Sequence, residues 1–466
     1  MTVVVAGAGI TGLTAALHLG EAGVEVLVVD PAIRIGGMVQ TSPFAGRMVD
    51  EGADAFLVRT PAAFDLARAV GLGDELVSPA RRDARVWLHG ALHRLPAHVL
   101  GVPTDPDEVD ELRLLSPAGL DRLRRDLTDP APPADPEDVS IAEAVGGRLG
   151  DEALARLVDP LVGGISAGDT AHLSLAAVAP QLDAAWRDPD HTSLVAACRA
   201  QVAAARAAGR DPDAPIFAAP VGGMARLPQA VARAARMTGM VDLRLGTALS
   251  AVADGGLVAL ADGTTLEAEA VVLATPGPTA AEIVGSVSPE ARALLAGVRH
   301  VSVAFVRVAI PTADLGRPLD GSGVLVPRTE GRIVTACSFA SEKWEHLAAD
   351  RGDGTVIVRA AVGRDGEQAV LGLDDAALVE RVVDDLTAIL DLQGAPTSTS
   401  VHRWPLAFAQ YRPGHLDRVA AMEAALARDA PWLVVAGMHL RGVGLPASIA
   451  SADAAAARVL ARLAPT

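Results

Sequence analysis

Six residues near the start of the chain have the types and spacing that bind a dinucleotide phosphate. They are Gly7, Ala8, Gly9, Ile10, Thr11 and Gly12, which form the pattern G-x-G-x-x-G directly after the short apolar run of residues 3–6. Glycine lets a backbone approach a pyrophosphate, whose charge is stabilised by amide N–H groups and by the positive end of a helix dipole. The pattern indicates dinucleotide binding where it joins a strand to a helix.

The following residues predict the strand and helix that this loop needs. Residues 13–22 are typical of a helix closed by Gly23, and residues 24–29 are typical of a second strand that ends on Asp30. Asp30 lies 18 residues after Gly12, close to the spacing at which a carboxylate accepts hydrogen bonds from the adenosine ribose hydroxyls. The order strand, loop, helix, strand and acid predicts a Rossmann-like βαβ unit.

Composition and charge exclude several other classes of protein. Half of the 466 residues are hydrophobic and 21% are charged, which is typical of a globular protein with two or three structural units. The net charge of -17 argues against nonspecific nucleic-acid binding, because a polyanion would be repelled. We therefore expect a packed enzyme that does not bind nucleic acid.

Cysteine usage and hydropathy bear on the compartment. Cys198 and Cys337 cannot form a disulfide framework, and neither has a neighbour at metal-ligand spacing, so we expect no metal site and a cytoplasmic location. Residues 3–20 lack a basic n-region, contain glycines and lead into a strand pattern, so we expect no targeting segment and no transmembrane segment. Peripheral membrane contact by an apolar helical face stays open.

A second glycine pair follows the acid-bearing strand. Arg34, Gly36 and Gly37 form R-x-G-G and are followed by Met38 and by the segment DEGAD at residues 50–54. This arrangement resembles that of the amine-oxidase-like flavoproteins, in which backbone and arginine contact the FAD pyrophosphate. The resemblance implies that the cofactor is FAD.

Further matches extend over essentially the whole chain. They are EGADAFL (51–57), GLGDEL (71–76), GVP (101–103), DPLVGGISAGD (159–169), LSL (173–175), KW (343–344), VRAAVGR (358–364), QY with GH (410–415) and GVGLPA (442–447). With these segments the chain resembles the FAD-dependent protoporphyrinogen/coproporphyrinogen oxidases, in particular the coproporphyrinogen III oxidases of Gram-positive and actinobacterial type.

The resemblance implies a function in haem biosynthesis. Coproporphyrinogen III would be oxidised to coproporphyrin III in three two-electron steps, with hydride passing to flavin N5 and O2 reoxidising the flavin to give H2O2. The protein would mainly hold the macrocycle in place, so no catalytic residue can be named. The implied partners are the porphyrinogen, O2 and, in transient contact, the next enzyme of the haem pathway.

The resemblance also implies site residues. The implied FAD contacts are Gly7, Ala8, Gly9, Ile10, Thr11, Gly12, Asp30, Pro31, Arg34, Gly36, Gly37, Met38, Gly52, Ala53, Asp54, Ala55, the backbone of Leu249, Trp404, Gly442, Val443 and Gly444. The candidate substrate contacts are Arg59, Thr60, Ser166 and Arg441. Departures from the family pattern are Met38 for lysine, Thr60 for a basic residue, Ser166 for tyrosine, and His439 and Arg441 for an aromatic residue and an acid.

The predicted fold class is α/β, with three parts. Residues 1–80, 216–285 and 403–466 would form a discontinuous FAD-binding Rossmann-like domain, residues 81–100 and 286–402 a mixed-sheet substrate domain, and residues 101–215 a helical insertion. Residues 141–208 are predicted to be mostly helical and residues 301–362 to form strands, whereas the Pro-rich residues 129–136 are predicted to form an exposed loop.

Three alternative functions remain open. The first is a protoporphyrinogen IX oxidase, whose substrate has two vinyl groups in place of two propionates. The second is an amine oxidase or carotenoid desaturase on the same scaffold. The third is a non-catalytic flavin- or porphyrin-binding protein, which would hold FAD without turnover.

Overall fold

The computed structural model describes residues 2–129, 137–209, 211, 214–348 and 354–464. Most of the predicted loop at 129–136 therefore lies outside the described residues. The chain divides into two compact units: Met1–Ser78, Ile216–His300 and His415–Thr466 form the first, and Pro79–Pro215 and Val301–Gly414 form the second.

Strands are numbered along the chain. They are β1 (Thr2–Ala6), β2 (Glu25–Asp30), β3 (Thr41–Phe44), β4 (Arg47–Asp50), β5 (Phe56–Leu57), β6 (Leu76–Val77), β7 (Ala84–Leu88), β8 (Ala91–Arg94), β9 (His98–Val99), β10 (Val102–Pro103), β11 (Phe217–Pro220), β12 (Val241–Leu245), β13 (Leu249–Ala253), β14 (Leu257–Leu260), β15 (Thr265–Glu267), β16 (Ala270–Leu273), β17 (His300–Pro311), β18 (Gly323–Leu325), β19 (Val334–Ser338), β20 (Thr355–Val362), β21 (Ser398–Ala409) and β22 (Leu433–Val435).

The α-helices are numbered in the same way. They are α1 (Ile10–Glu21), α2 (Pro61–Ala69), α3 (Pro106–Glu111), α4 (Pro117–Arg125), α5 (Gly147–Leu149), α6 (Asp151–Ala153), α7 (Gly164–Ser166), α8 (Leu175–Val178), α9 (Pro180–Trp186), α10 (Leu194–Ala207), α11 (Arg226–Met237), α12 (Gly277–Val284), α13 (Pro289–Ala296), α14 (Ala340–Lys343), α15 (Asp375–Leu390), α16 (His415–Asp429), α17 (Met438–Arg441) and α18 (Leu445–Leu463).

The first unit is built on a parallel sheet. Its strand order is β12-β2-β1-β16-β22. Val4 and Ala6 of β1 face a core shared with α12, α13, α16 and the β13-β14-β15 meander, while α1 packs against α11 and α18. Because both faces of this sheet are covered, β1 and β2 are continuous apolar runs rather than alternating ones. The predicted βαβ unit is confirmed.

The second unit combines a mixed sheet with a helical region. The seven-stranded sheet has the order β21-β17-β20-β19-β18-β7-β8, in which β7 and β18 are parallel. One face of its central strands packs on α15, since Val306 and Val358 share a core cluster with Leu378 and Leu386. The helical region has its own core, mainly of leucine, valine and alanine side chains, which includes Leu88 of β7.

The helical region contains two π-helical segments, Ala142–Gly146 and Leu154–Gly163. Pro160 lies inside the second segment. Proline has no N–H to donate to the preceding turn and its ring crowds that turn, so a locally widened helix accommodates it at lower cost than a regular α-helix. No described helix combines the length and apolarity that are needed to cross a membrane.

The division into units differs from the predicted one. The first unit extends to residue 300 because α13 packs on α12 and α16. Residues 403–414 belong to the second unit, since β21 is an edge strand of its sheet. Residues 101–215 form one unit with that sheet rather than a separate part, because the helical core includes Leu88 of the sheet hairpin.

Candidate functional site

Close packing of backbone shapes the first glycine loop. Gly7 has φ +108°, and a Cβ atom there would lie 2.5 Å from the carbonyl oxygen of Ala274, just beyond β16. A Cβ atom at Gly12 would lie 1.8 Å from the carbonyl oxygen of Gly7. These two glycines are therefore required for β1, β16 and α1 to pack together.

Gly9 differs from these two glycines because no neighbour in the described chain excludes a side chain there. Its backbone is extended, with φ -73° and ψ 177°, which any residue adopts. A Cβ atom at Gly9 would have only the Cα of Gly37 near it, at 4.0 Å. The loop therefore leaves open space beside its backbone, which is the arrangement that a closely approaching phosphate needs.

Two long helices begin at glycine loops without a capping side chain. Helix α1 has Gly9 as its N-cap, and α18 has Gly444. Neither helix has a side-chain hydrogen bond at its N-cap or an acidic residue in its first turn. Their first-turn amides and the positive ends of their dipoles are available to an anionic group.

Asp30 ends β2 beside the first loop. Its Oδ2 accepts a hydrogen bond of 2.7 Å from the backbone N–H of Ala8, and its Oδ1 accepts one of 2.8 Å from that of Ala32. A carboxylate oxygen has more than one acceptor position, so each can still accept a hydrogen bond from a ribose hydroxyl. The backbone N–H of Thr247 also donates to the carbonyl of Asp30, which ties the chain entering β13 and Leu249 to the same place.

The second glycine pair lies directly against the first loop. The backbone N–H of Gly36 donates to the carbonyl of Ala8 at 2.7 Å. The side-chain amide of Gln40 holds the turn by donating to the carbonyls of Ile35 and Gly37. Both glycine segments thus form one continuous backbone surface.

Arg34 stands at the exposed side of this surface. Its side chain is 57% exposed, and its contacts with the buried Glu51 are long, at 3.4 and 3.5 Å. Contacts of this length are weak and the guanidinium itself is mostly exposed, so it can reorient toward a phosphate.

A clamp that the sequence analysis missed fixes the segment at residues 50–55. Thr41 donates to Asp50, whose Oδ1 also accepts a 2.8 Å hydrogen bond from the backbone N–H of Met224. A Cβ atom at Gly223 would lie 2.4 Å from the methyl carbon of Thr41, so this glycine is needed for the contact. The clamp holds the buried or half-buried residues in front of β5, which are Gly52, Ala53, Asp54 and Ala55.

A histidine supports the C-terminal glycine loop. The Nε2 of His415 donates a 2.7 Å hydrogen bond to the carbonyl of Leu440. Gly442 and Gly444 then take φ values of +135° and +100°, which favour glycine. The predicted residues 442–444 therefore form a loop that opens α18.

His439 is a buried member of this region. The residue is 2% exposed, and its Nε2 has no hydrogen-bond partner among the described residues. Burial, reinforced by His300 and His415, lowers the pKa of His439 from its ordinary value of 6.5 to about 3. The imidazole is therefore neutral at physiological pH. Sequence analysis identified this position only as a departure from the family pattern.

These features fit FAD. The space beside Gly9, the two uncapped helices and the Asp30 carboxylate match a diphosphate and a ribose. The first unit gathers Gly7, Ala8, Gly9, Ile10, Thr11, Gly12, Asp30, Gly36, Gly37 and the 442–444 loop.

The other predicted FAD contacts lie in varied surroundings. Pro31 is exposed, Met38 and Val443 are half-buried, and Leu249 is buried at the start of β13. Trp404 is half-buried on β21 and belongs to the second unit. Their individual roles stay predictions.

Two candidate substrate residues are exposed. Arg59 and Thr60 precede α2, and Thr60 is its N-cap without a side-chain hydrogen bond. Both side chains are therefore accessible to a ligand.

The other two candidate substrate residues are engaged within the chain. Ser166 is 1% exposed, and its hydroxyl donates to the carbonyl of Val162. Arg441 makes a two-point ion pair with Glu423, with N···O distances of 2.6 and 2.7 Å. A substrate role for either residue, which stays a prediction, would require it to give up these contacts.

The described residues provide neither a reactive thiolate nor a group of metal ligands. Burial raises the pKa of both Cys198 and Cys337 to about 12, so neither is a thiolate at neutral pH. Within the described part of the chain, no three His, Cys, Asp or Glu side chains come close enough together to hold a metal ion.

The different surroundings of Gly9 and Gly12 predict different effects of an alanine substitution at each. Gly9→Ala should fold with a thermal midpoint close to that of the wild type, because the added Cβ meets open space. It should bind FAD about 10- to 100-fold more weakly, because the same Cβ occupies the space proposed for the phosphate. Gly12→Ala should lower the thermal midpoint even without FAD, because its Cβ overlaps the Gly7 carbonyl. Titration of the apoprotein with FAD and thermal unfolding measure both effects. Unchanged FAD affinity in Gly9→Ala would contradict the assignment.

His439 predicts a loss of stability in acid. Below pH 6.5 an unfolded histidine binds a proton, whereas the folded His439 does not until about pH 3. Stability is therefore lost as the pH falls through this window, and the loss reaches about 2 kcal/mol at pH 5. His439→Gln should remove this part of the pH dependence.

Thermal midpoints at pH 7.5 and pH 5 measure the effect, with His172→Gln, at an exposed histidine, as the control. The drop between the two pH values should be smaller in His439→Gln than in the wild type or the control. An equal drop in all three proteins would show that His439 is not the group responsible.

Comparison with known proteins supports the assignment of an FAD site. Residues 10–460 match the family model described as flavin containing amine oxidoreductase. The chain is 35% identical to a coproporphyrinogen III oxidase of Mycobacterium leprae (strain TN), covering 97% of this chain and 96% of the relative. It is 30% identical to a coproporphyrinogen III oxidase of Bacillus subtilis (strain 168), covering 99% and 98%.

A solved structure is also similar over the full length. It is a protein from Exiguobacterium sp. 255-15, provisionally named protoporphyrinogen oxidase, with a TM-score of 0.85, 27% identity, and coverage of 99% of this chain and 98% of that one. The family match includes Ile10, Thr11 and Gly12 of the first glycine loop and the whole of the C-terminal one, and the geometry of these loops fits FAD. The chain therefore belongs to the family of flavin containing amine oxidoreductases, and it is an FAD-dependent oxidoreductase.

Proposed function

We propose that this protein oxidises coproporphyrinogen III to coproporphyrin III. The observation that carries the proposal is the similarity, over nearly the whole of both chains, to relatives named coproporphyrinogen III oxidase. The features of the first unit that fit FAD match the redox cofactor that this reaction needs.

The bound flavin supplies an acceptor for two electrons and a proton in each of three steps. Six electrons and six protons leave the porphyrinogen, so complete oxidation consumes three O2 and yields three H2O2 when oxygen is the terminal acceptor. The electron acceptor is part of the proposal.

The chain contributes binding and positioning rather than acid–base chemistry. The loops at Gly9 and Gly444 offer backbone amides to the FAD phosphates, and Asp30 offers its carboxylate to the ribose hydroxyls. Formation of an aromatic macrocycle makes each step downhill, so a strong base is not required. The neutral His439 agrees with a site that does not rely on such a group.

Protoporphyrinogen IX is the second candidate substrate, favoured by the similarity to the Exiguobacterium protein. The two substrates share the porphyrinogen ring and differ where coproporphyrinogen III has two further propionates in place of two vinyl groups. Cations near the ring therefore decide between them, because a carboxylate gains a charge-assisted hydrogen bond that a vinyl group cannot make.

The same proposal places the protein in the cytoplasm, in haem biosynthesis. The product of an oxidation of this kind is a planar tetracarboxylate porphyrin, which a metal-inserting enzyme must consume next. Transient contact with that enzyme would protect the porphyrin during transfer.

Aerobic turnover tests the proposal. The purified FAD-loaded protein is mixed with coproporphyrinogen III or protoporphyrinogen IX, and porphyrin fluorescence and H2O2 are followed together. We expect kcat/KM to be about tenfold or more higher for coproporphyrinogen III, since one charge-assisted hydrogen bond contributes about 1.5–3 kcal/mol, and we expect one H2O2 for each pair of electrons.

A preference for protoporphyrinogen IX would replace the proposed substrate with the second candidate. Absence of turnover with both substrates, in a protein that holds FAD, would reject porphyrinogen oxidation altogether. Porphyrin formation without H2O2 would reject oxygen as the acceptor.

A further inference from the structure

A pocket lies within the second unit, between one stretch of the helical region and one face of the seven-stranded sheet. The helical side is formed by residues 159–168, and the sheet side includes Phe305 of β17, Ala361 of β20 and Phe408 of β21. This is the sheet face opposite to the one that packs on α15, because residues 305 and 361 alternate with the α15-facing residues at 306 and 360.

The walls of the pocket combine aromatic side chains with small residues. Phe305 and Phe408 are half-buried where they line the pocket, and the guanidinium of Arg359 lies 5.4 Å from the centre of the Phe305 ring. The opposite wall has no bulky side chain at Gly164, where a Cβ atom would meet only Leu325, at 4.0 Å. An aromatic surface facing small residues offers stacking contacts to a planar or ring-shaped ligand.

The widened helix contributes to the helical wall. Asp159 and Pro160 line the pocket and lie within the π-helical segment Leu154–Gly163. Segments of this kind are frequent at functional sites, since the extra residue redirects neighbouring side chains. Here Asp159 is buried, and its Oδ1 accepts from the N–H and the hydroxyl of Thr170.

A buried guanidinium lines the same pocket. Arg364 is 5% exposed, and the only hydrogen bond it makes among the described residues is a long one of 3.4 Å, from Nη1 to the carbonyl of Val326. Its Nε is 2.9 Å from Glu367 Oε2, but in a geometry that makes no hydrogen bond. Most of the five N–H groups of Arg364 therefore lack an acceptor among the described residues.

Arg328 donates hydrogen bonds to several acceptors near Arg364. Its Nη1 donates to Glu367 Oε1 and to the carbonyl of Asp365, and its Nη2 donates to the carbonyl of Gly168. Its Nε also lies 3.3 Å from Asp159 Oδ2. Arg328 thus joins the helical wall to the loop after β20 and pairs with one oxygen of each of the two carboxylates.

Burying the charged guanidinium of Arg364 costs folding free energy unless a further anion binds to it. Burial lowers the pKa of its guanidinium, and the positive charge of Arg328 adds to this effect, although Glu367 opposes it. The group remains charged, because even a lowered arginine pKa lies far above neutrality. A buried cation with unmade hydrogen bonds is destabilising unless a ligand completes them.

We propose that Arg364 binds a propionate carboxylate of the porphyrinogen while the ring lies against Phe305 and Phe408. This inference rests on the proposed function and adds a substrate-binding residue to it. The planar guanidinium suits a two-point contact with a carboxylate, which a neutral vinyl or methyl group cannot replace. Arg364 is thus a specificity-determining residue for carboxylate-bearing rings.

The experiment uses the FAD-loaded protein and two stable probes, coproporphyrin III and its tetramethyl ester, whose binding is followed by porphyrin fluorescence. Arg364→Met keeps most of the length of the side chain and removes its charge. We expect it to weaken coproporphyrin III binding about 10- to 100-fold, the loss of one charge-assisted contact, and to change ester binding by less than about twofold. In turnover, KM should rise while kcat changes little.

Arg332→Met is the matched control. Arg332 is a half-buried arginine of the same unit and is paired with Asp385, but it does not line the pocket. This variant should bind both probes like the wild type. Where Arg364→Met does not hold FAD, Arg364→Gln carries the same test, because it keeps a polar but uncharged side chain at this position.

Two results would overturn the inference. Equal binding of coproporphyrin III by the Arg364 variant and the wild type would make Arg364 a structural residue, and an equal loss for the acid and the ester would assign the effect to the pocket walls. If the wild type neither binds coproporphyrin III nor oxidises coproporphyrinogen III, the proposed function itself has failed. If the wild type turns over and the variant matches it, only the role of Arg364 is rejected.

Discussion

The FAD-binding unit depends on how closely two backbone segments approach each other at Gly7. The carbonyl of Ala274 occupies the place of a Cβ atom there, and the carbonyl of Gly7 in turn occupies the place of a Cβ atom at Gly12. These contacts bring the ends of β1 and β16 and the start of α1 together, with open space beside Gly9. The second glycine pair and Asp30 are then hydrogen-bonded to the same loop through Ala8.

The groups of this unit that fit FAD are mostly backbone groups rather than side chains. The amides at the starts of α1 and α18 carry partial positive charge that does not depend on pH, and the neutral His439 adds no charge to it. In the second unit the charged groups are side chains, and the well-paired Arg328 differs from the under-bonded Arg364 although both lie beside Glu367. The backbone amides of the first unit fit a cofactor phosphate, and the proposed role of Arg364 in the second unit is to bind a substrate carboxylate.

Local patterns in the sequence predicted the βαβ unit and Asp30, because turn geometry and strand periodicity are set by near neighbours in the chain. Contacts between distant segments were not predictable. Asp50 accepts from the N–H of Met224 although 174 residues separate them, and Arg441 pairs with Glu423 of another helix. No local signal marks such pairs, since only folding brings them together. The observed units differ from the predicted domains for the same reason, because the residues of β21 and α13 do not themselves indicate which unit these elements pack against.

Anaerobic reduction by substrate tests the central claim most directly. The FAD-loaded protein is mixed with coproporphyrinogen III in the absence of oxygen, and the visible absorbance of oxidised flavin is followed. The account predicts that this absorbance is lost as porphyrin forms and returns when air is admitted. A flavin that stays oxidised with coproporphyrinogen III, while a chemical reductant bleaches it, would contradict the account.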